Sequence, residues 1–402
     1  MLLAIGVEIC FHRAPVPHAS TPHLSRATVS GLHPGIRLAD GAPWGELEST
    51  SFALERPDEL SPENDPVTKP IWNFPGANLE KLSSILQATG LSDDDRKLLL
   101  DSANCRVTAV GCTIQPPVQL VLNLPAPIRQ KLYGELARDP ANFDQRFPFL
   151  YRMGRFDEWF FESGLPSEKI DLIERLSYTN GNSLCFADIE SFRSISSSNE
   201  NYLLIKALSR VSTELVRVRV QPGTVPGLLQ YWGRGRRDLL KPLLESLART
   251  SDPRVGVGFL LPSFARLRVF TYPDPLKDSN ASREDCYWSS MNFFSESPDP
   301  RFFDFAETVR TLRQDYITVE DRPAAFGDVI LLQDAKGQSV HMCVYIAEDI
   351  IFTKNGAHYL QPWVLMRYSD VLAHYPDAVP SQTKLFRRRI WLAPGQSRAD
   401  VQ

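Results

Sequence analysis

Ser282-Arg283-Glu284-Asp285-Cys286-Tyr287-Trp288-Ser289-Ser290-Met291-Asn292-Phe293-Phe294 opens the stretch that decides the fold of this chain. Downstream come Phe326-Gly327-Asp328-Val329-Ile330-Leu331-Leu332 and Val340-His341-Met342-Cys343-Val344-Tyr345-Ile346. Ser282 and Asp285 have the S-x-x-D form of a capping box, and Asp285 alone is also a good N-cap. Either start puts Cys286 in the first turn of a helix. There the free backbone N–H groups and the positive dipole end favour an anion, so the spacing predicts a thiol pKa lowered from about 8.5 toward neutrality. Tyr287, Met291 and Phe294 bury one side of that helix. Cys286 lies on the neighbouring edge with Ser290 and Phe293, facing a cleft.

A thiolate nucleophile pairs with a histidine that takes its proton. Three histidines follow Cys286: His341, His358 and His374. His341 alone opens a strongly β-like run, where alternation puts His341, Cys343 and Tyr345 on one face and Met342, Val344 and Ile346 on the other. The first face is expected to look toward the Cys286 helix, with the small Cys343 as a spacer. A third group orients the imidazole. The next strand, 349–355, follows a tight turn and alternates Ile351, Thr353 and Asn355 to one face. Asn355 is the first candidate and Thr353 the second, with His358 left open.

Working outward, Arg266 to Tyr272 alternates like a strand ending at Pro273. Ahead of it the pattern is mostly helical. Asn78 and Ser92 read as caps of two helices, and Gly90 as a stop between them. Arg106 to Gln115 reads as a short hairpin. Further helical stripes are Ile128, Leu132, Tyr133 and Leu136; Ile170, Ile173 and Leu176; Leu203, Leu204, Leu208, Val211 and Leu215; and Leu239 to Leu247. Val216, Val218 and Val220 alternate with Arg217 and Arg219 at strand period. The cluster Tyr231-Trp232-Gly233-Arg234-Gly235-Arg236-Arg237 reads as a solvated helix entry rather than a phosphate site.

The fold class expected is α+β, a mainly helical region followed by helices packed on a small antiparallel sheet. The expected divisions are an extended or disordered arm over 1–76, a helical domain over 77–255, a catalytic-type domain over 256–395 and a tail over 396–402. The arm follows from the proline-rich composition between Pro15 and Pro75 and the absence of periodicity there. His12, His18, His23 and His33 fall in it at irregular spacing, so no metal site is expected. The 44 Lys and Arg against 48 Asp and Glu favour neither nucleic acid nor an anionic membrane surface as partner. The six cysteines show no C-x-x-C spacing, which argues against zinc-ribbon and thioredoxin-type sites. The apolar run Leu2 to Phe11 is too short to span a bilayer and lacks a basic leading region.

Asp285-Cys286 opening an aromatic-rich helix, Gly327-Asp328 leading an apolar strand and His341 leading a strand that ends in Tyr345-Ile346 together resemble the NlpC-type cell-wall cysteine peptidases, papain-like hydrolases of permuted order. The resemblance spans about residues 266–360. It implies a papain-like domain with Cys286 as nucleophile, His341 as base and Asn355 or Thr353 as the polar third member, with no metal or other cofactor. It also implies amide cleavage in a peptide or peptidoglycan-like substrate. Tyr272 stands where the family has an upstream tyrosine near the oxyanion site. Tyr287 and Trp288 depart from the family's small residues after the cysteine. Ala325 and Phe326 stand where proline is usual, and the family's Gly-Gly loop before the cysteine is absent. Three functions fit: a cysteine-dependent amide hydrolase, a non-catalytic binding or scaffold protein on the same fold, and an acyltransferase or deamidase with the same dyad. A cell-wall hydrolase would work in the envelope or outside the cell, and the alternatives in the cytoplasm.

Overall fold

The computed structural model describes residues 32–33, 36–38, 42–60, 69–181, 183–275, 278, 280, 283–320, 322–375 and 377–391. The apolar start, His12, His18, His23, Ser282 and the tail 396–402 lie outside these residues. Helices and antiparallel sheets alternate along the chain, giving an α+β fold. No helix among the described residues is long and apolar enough to cross a membrane.

Strand Leu47–Leu54, expected within the extended or disordered arm, is instead paired antiparallel with Val211–Arg219 along eight residue pairs. Its own sequence alternates only weakly. The order comes from a partner distant in the chain, whose Val216 and Val218 are buried while Arg217 points out. The stripe read as one helix from Leu203 to Leu215 is divided. The helix Ser198–Leu208 stops at Ser209, and Val211 and Leu215 belong to the strand.

Local capping rules hold in the first helices. Asn78 Oδ1 accepts from the Lys81 N–H at 2.9 Å to start Leu79–Ala88, and Ser92 Oγ accepts from the Asp95 N–H at 3.1 Å to start Asp93–Leu100. The hairpin Cys105–Thr108 and Gly111–Ile114 takes Trp72–Pro75 as a third strand. The arginine cluster is not a solvated entry throughout. The Arg236 guanidinium donates to the Leu260 and Leu261 carbonyls at 2.7 and 2.9 Å, closing the chain end of another helix. Arg266 to Tyr272 is not a strand either. Ser263–Arg268 is a short helix, and only Thr271 makes an isolated bridge to Trp363. Arg268 turns inward over the rings of Phe264, Trp288 and Trp363, a cation–π arrangement that an alternating pattern does not encode.

The C-terminal sheet positions the site. Its strands are β1 (Tyr316–Thr318), β2 (Val329–Gln333), β3 (Ser339–Ala347), β4 (Ile350–Lys354), β5 (Trp363–Arg367) and β6 (Lys384–Arg388), in spatial order β1-β6-β2-β3-β4-β5. Three helices accompany it: α1 (Cys286–Met291), α2 (Phe305–Asp315) and α3 (Tyr368–His374). Met342, Val344 and Ile346 of β3 enter the largest core, together with Trp288 and Met291 of α1. Cys343 and Tyr345 enter a second core, with Tyr368 and Val371 of α3. The sheet is thus covered on both faces. The largest core also holds Trp44, Val216, Trp232 and Leu244, so packing is continuous across residue 255, where the sequence placed a domain boundary.

Candidate active site

Asp285 caps α1, its carboxylate accepting from the Trp288 N–H at 2.8 Å, and Cys286 is the first helical residue. Because α1 lies on the Met342 face, the expectation that the His341 face looks onto this helix is not met. Cys286 instead reaches the sheet at its seam. Pairing between β3 and β4 runs from Ala347↔Ile350 to Val344↔Phe352 and stops there. Beyond that point, on β3, the Met342 backbone amide favours the Cys286 thiolate and so opposes the effect of burial. Met342 directly follows His341.

His341 is fully buried. Its Nε2 lies 2.8 Å from Thr353 Oγ1, and Thr353 Oγ1 donates in turn to Asn355 Oδ1 at 3.4 Å. With the Thr353 hydroxyl proton directed at Asn355, Oγ1 accepts from Nε2–H, which leaves the imidazole lone pair on Nδ1. Nδ1 has no hydrogen-bond partner among the described residues. The Tyr375 ring covers the imidazole, stacked at 4.1 Å between centroids. Burial raises the Tyr375 hydroxyl, and the charges of Cys286 and Cys343 add to the rise.

Burial dominates the electrostatics. It pushes the Cys286 thiol up to about 12, with the Asp285 carboxylate adding to the rise. The expected lowering toward neutrality is therefore reversed, because α1 is short and desolvation of a thiolate outweighs its dipole. Burial also pulls His341 down to about 3, helped by the neighbouring His374. At neutral pH the closed site holds a thiol and a neutral imidazole.

Of the candidates for the third position, Thr353 makes the direct contact, Asn355 stands one hydrogen bond behind it, and His358 is elsewhere. His358 accepts from the Leu360 N–H through Nδ1 at 3.2 Å and stacks on Tyr359. Tyr272 feels the charge of Arg56, and its hydroxyl has no partner among the described residues. Trp288 does not fill the site. It stacks on Phe303 within the core. Tyr287 donates its hydroxyl to the Ser339 carbonyl at 3.2 Å and rests on Phe305.

Sequence reasoning missed Lys354. It is fully buried on the opposite face of β4 from Thr353, and burial lowers its ammonium to about 8 against the opposing pull of Glu284, Asp285 and Cys286. Its Nζ donates to the Gly356 and His358 carbonyls at 2.8 and 3.0 Å. The available signal was a single lysine inside the apolar run Ile350-Ile351-Phe352-Thr353-Lys354. Among the described residues no group of three or more His, Cys, Asp or Glu side chains is arranged to hold a metal. Compared with family models, curated proteins and solved structures, the chain matches none.

Proposed function

We propose that this chain is a cysteine-dependent amide hydrolase of permuted papain-like fold, with Cys286 as nucleophile, His341 as base and Thr353 as the residue that holds the imidazole. The observation that carries this reading is the His341 ring. Its Nε2–H is committed to Thr353, while its Nδ1 is buried without a partner among the described residues, on the residue that directly precedes Met342. A buried ring nitrogen left unpaired costs about 1–3 kcal/mol, and a catalytic role accounts for retaining it.

In the reaction, Nδ1 takes the Sγ proton as sulfur bonds to the acyl carbon. The imidazolium then protonates the departing amine, leaving a thioester. Water attacks the thioester with His341 again as base, and the carboxylic acid and thiol are released. The Lys354 ammonium supplies positive charge near the sulfur. A peptide amide is the substrate class, and the resemblance to cell-wall peptidases puts peptidoglycan-like peptides first within it. Access requires Tyr375 to move from the imidazole.

The burial of both reacting groups favours a second reading, a non-catalytic protein that keeps the constellation as core. Iodoacetamide labelling followed by mass spectrometry of each cysteine separates the two. Tyr375→Ala should raise the labelling rate of Cys286 by about tenfold or more, and adding His341→Ala should remove most of that gain. Labelling of Cys286 in Tyr375→Ala that is indifferent to His341 would leave only the non-catalytic reading.

A further inference from the structure

A cavity of about 230 Å³ lies far from Cys286 in sequence, among three segments: Lys69 to Asn73, Ala141 to Gln145 and Ala187 to Ser191. Its walls are fixed to one another. Asn142 Oδ1 accepts from the Asn73 N–H at 2.8 Å, and Asn142 Nδ2 donates to the Asn73 carbonyl at 2.9 Å. The volume lies below the roughly 300–1,000 Å³ of drug-sized sites, which limits an occupant to a small molecule.

The lining is acidic, and its charges are unequally answered. Asp188 pairs with Arg129 Nε at 2.7 Å and accepts from the Tyr133 hydroxyl, and Glu190 pairs with Arg193 at 3.3 Å. Asp144 has no hydrogen bond or ion pair among the described residues. Lys69, at the exposed edge of the lining, is the one cationic side chain there among the described residues. Two further observations point to a ligand. Ser191 is 1% exposed, lines the cavity, and its Oγ has no partner among the described residues. Phe143 and Ile71 line the same cavity yet are 66% and 50% exposed, an apolar rim left largely uncovered by the described residues. The Phe143 ring packs on Phe147 at 5.2 Å between centroids, and Arg146 lies 5.6 Å from the Phe147 centroid.

We propose that this cavity binds a small primary alkylammonium ion, with the ammonium on Asp144 and Ser191 and the hydrocarbon chain against Phe143 and Ile71. A carboxylate beneath an apolar, aromatic rim matches a cation that carries its own hydrocarbon, because the charge is paired while the chain leaves water. A metal ion would gain nothing from the rim, and a neutral molecule would leave Asp144 unanswered.

Binding should depend on pH. Burial, with Glu190 and Asp188 nearby, raises the Asp144 carboxyl to about 6. The form that binds a cation is the ionised one, so affinity rises as pH increases through that value. Between about pH 5 and pH 7 the gain is about tenfold, while an alkylammonium stays charged throughout.

The test is a calorimetric or NMR titration of the full chain with n-butylammonium chloride, with n-butanol as neutral isostere. The expected result is saturable binding of the ammonium and binding of butanol weaker by about tenfold or more. Asp144→Asn should weaken the ammonium by about tenfold and flatten its pH dependence. Phe143→Ala should weaken it by a smaller factor without altering that dependence. Both side chains are at least partly exposed, and melting curves will confirm that the variants fold. The proposal is overturned by equal affinity for butanol, by Asp144→Asn binding like the parent, by a flat pH profile, or by no saturable binding at millimolar ammonium.

Discussion

A neutral imidazole sealed inside a fold makes the protein sensitive to acid. His341 titrates at about 3 when folded and near 6.5 when the chain unfolds. Between those values the unfolded chain binds a proton that the folded chain refuses. The stabilisation is complete above about pH 6.5 and is lost as pH falls toward 3, at up to about 1.4 kcal/mol per pH unit. His374 is half-buried and lowered in the same sense, so two histidines contribute. Replacing His341 with Gln should flatten the dependence of the urea midpoint on pH between about pH 4 and 6 by one proton's worth. Identical slopes would mean that His341 already carries a proton in the fold. The same scale explains why Thr353 displaced Asn355 as first partner. Extrapolating the register Val344↔Phe352 puts Asn355 opposite His341, but the strands part before that point and the diagonal neighbour takes the ring. Alternation selected the correct face of β4; the opening of the seam is a tertiary event that the local pattern does not record.

At the scale of elements, Gly327-Asp328 shows how a motif legible in sequence can serve the scaffold. Gly327 has φ +86°, and a Cβ there would lie 2.4 Å from Phe294 Cζ and 3.2 Å from Trp391. Asp328 is fully buried. It receives Arg387 through both oxygens, Nε at 2.9 Å and Nη2 at 2.6 Å, and also the Ala325 N–H at 2.8 Å. The pair therefore starts β2 and ties it to β6. Gly327→Ala combines left-handed strain with overpacking and should cost about 2 kcal/mol or more in urea denaturation. A loss within error would mean that Phe294 and Trp391 move aside freely. The same two elements mark the limits of pattern reading. The long apolar runs of β2 and β3 are unambiguous because both faces are buried. Arg266 to Tyr272 alternates like a strand, yet Pro262 at the start and the inward Arg268 go with a helix over Ser263–Arg268.

Across the whole molecule, the sequence divided the chain at residues 76 and 255, but one ionic cluster crosses both positions. Glu214, with its side chain 1% exposed, accepts from Ser51 Oγ at 2.7 Å and pairs with Arg152 at 2.9 Å and Arg367 Nε at 3.6 Å. Arg152 also contacts Asp370 of α3, and Arg367 reaches Asp349 at 2.6 Å. Strand Leu47–Leu54, strand Phe149–Arg152, strand Val211–Arg219, β5 and α3 therefore meet at one buried carboxylate. Nothing local announces this, because Arg152, Glu214 and Arg367 sit in ordinary strands and Glu214 lies far along the chain from both arginines. Removing the arginine should be felt globally. Arg152→Ala leaves Glu214 with a single distant cation and Asp370 with none of its former pairing, so the expected loss is about 3 kcal/mol, the lower end for a broken buried pair because Arg367 remains. Arg152→Ala combined with Glu214→Leu should recover part of that loss, since the stranded charge is then gone. If the single substitution costs under about 1 kcal/mol by urea denaturation, Ser51 and Arg367 hold Glu214 unaided and the segments are joined by apolar packing alone.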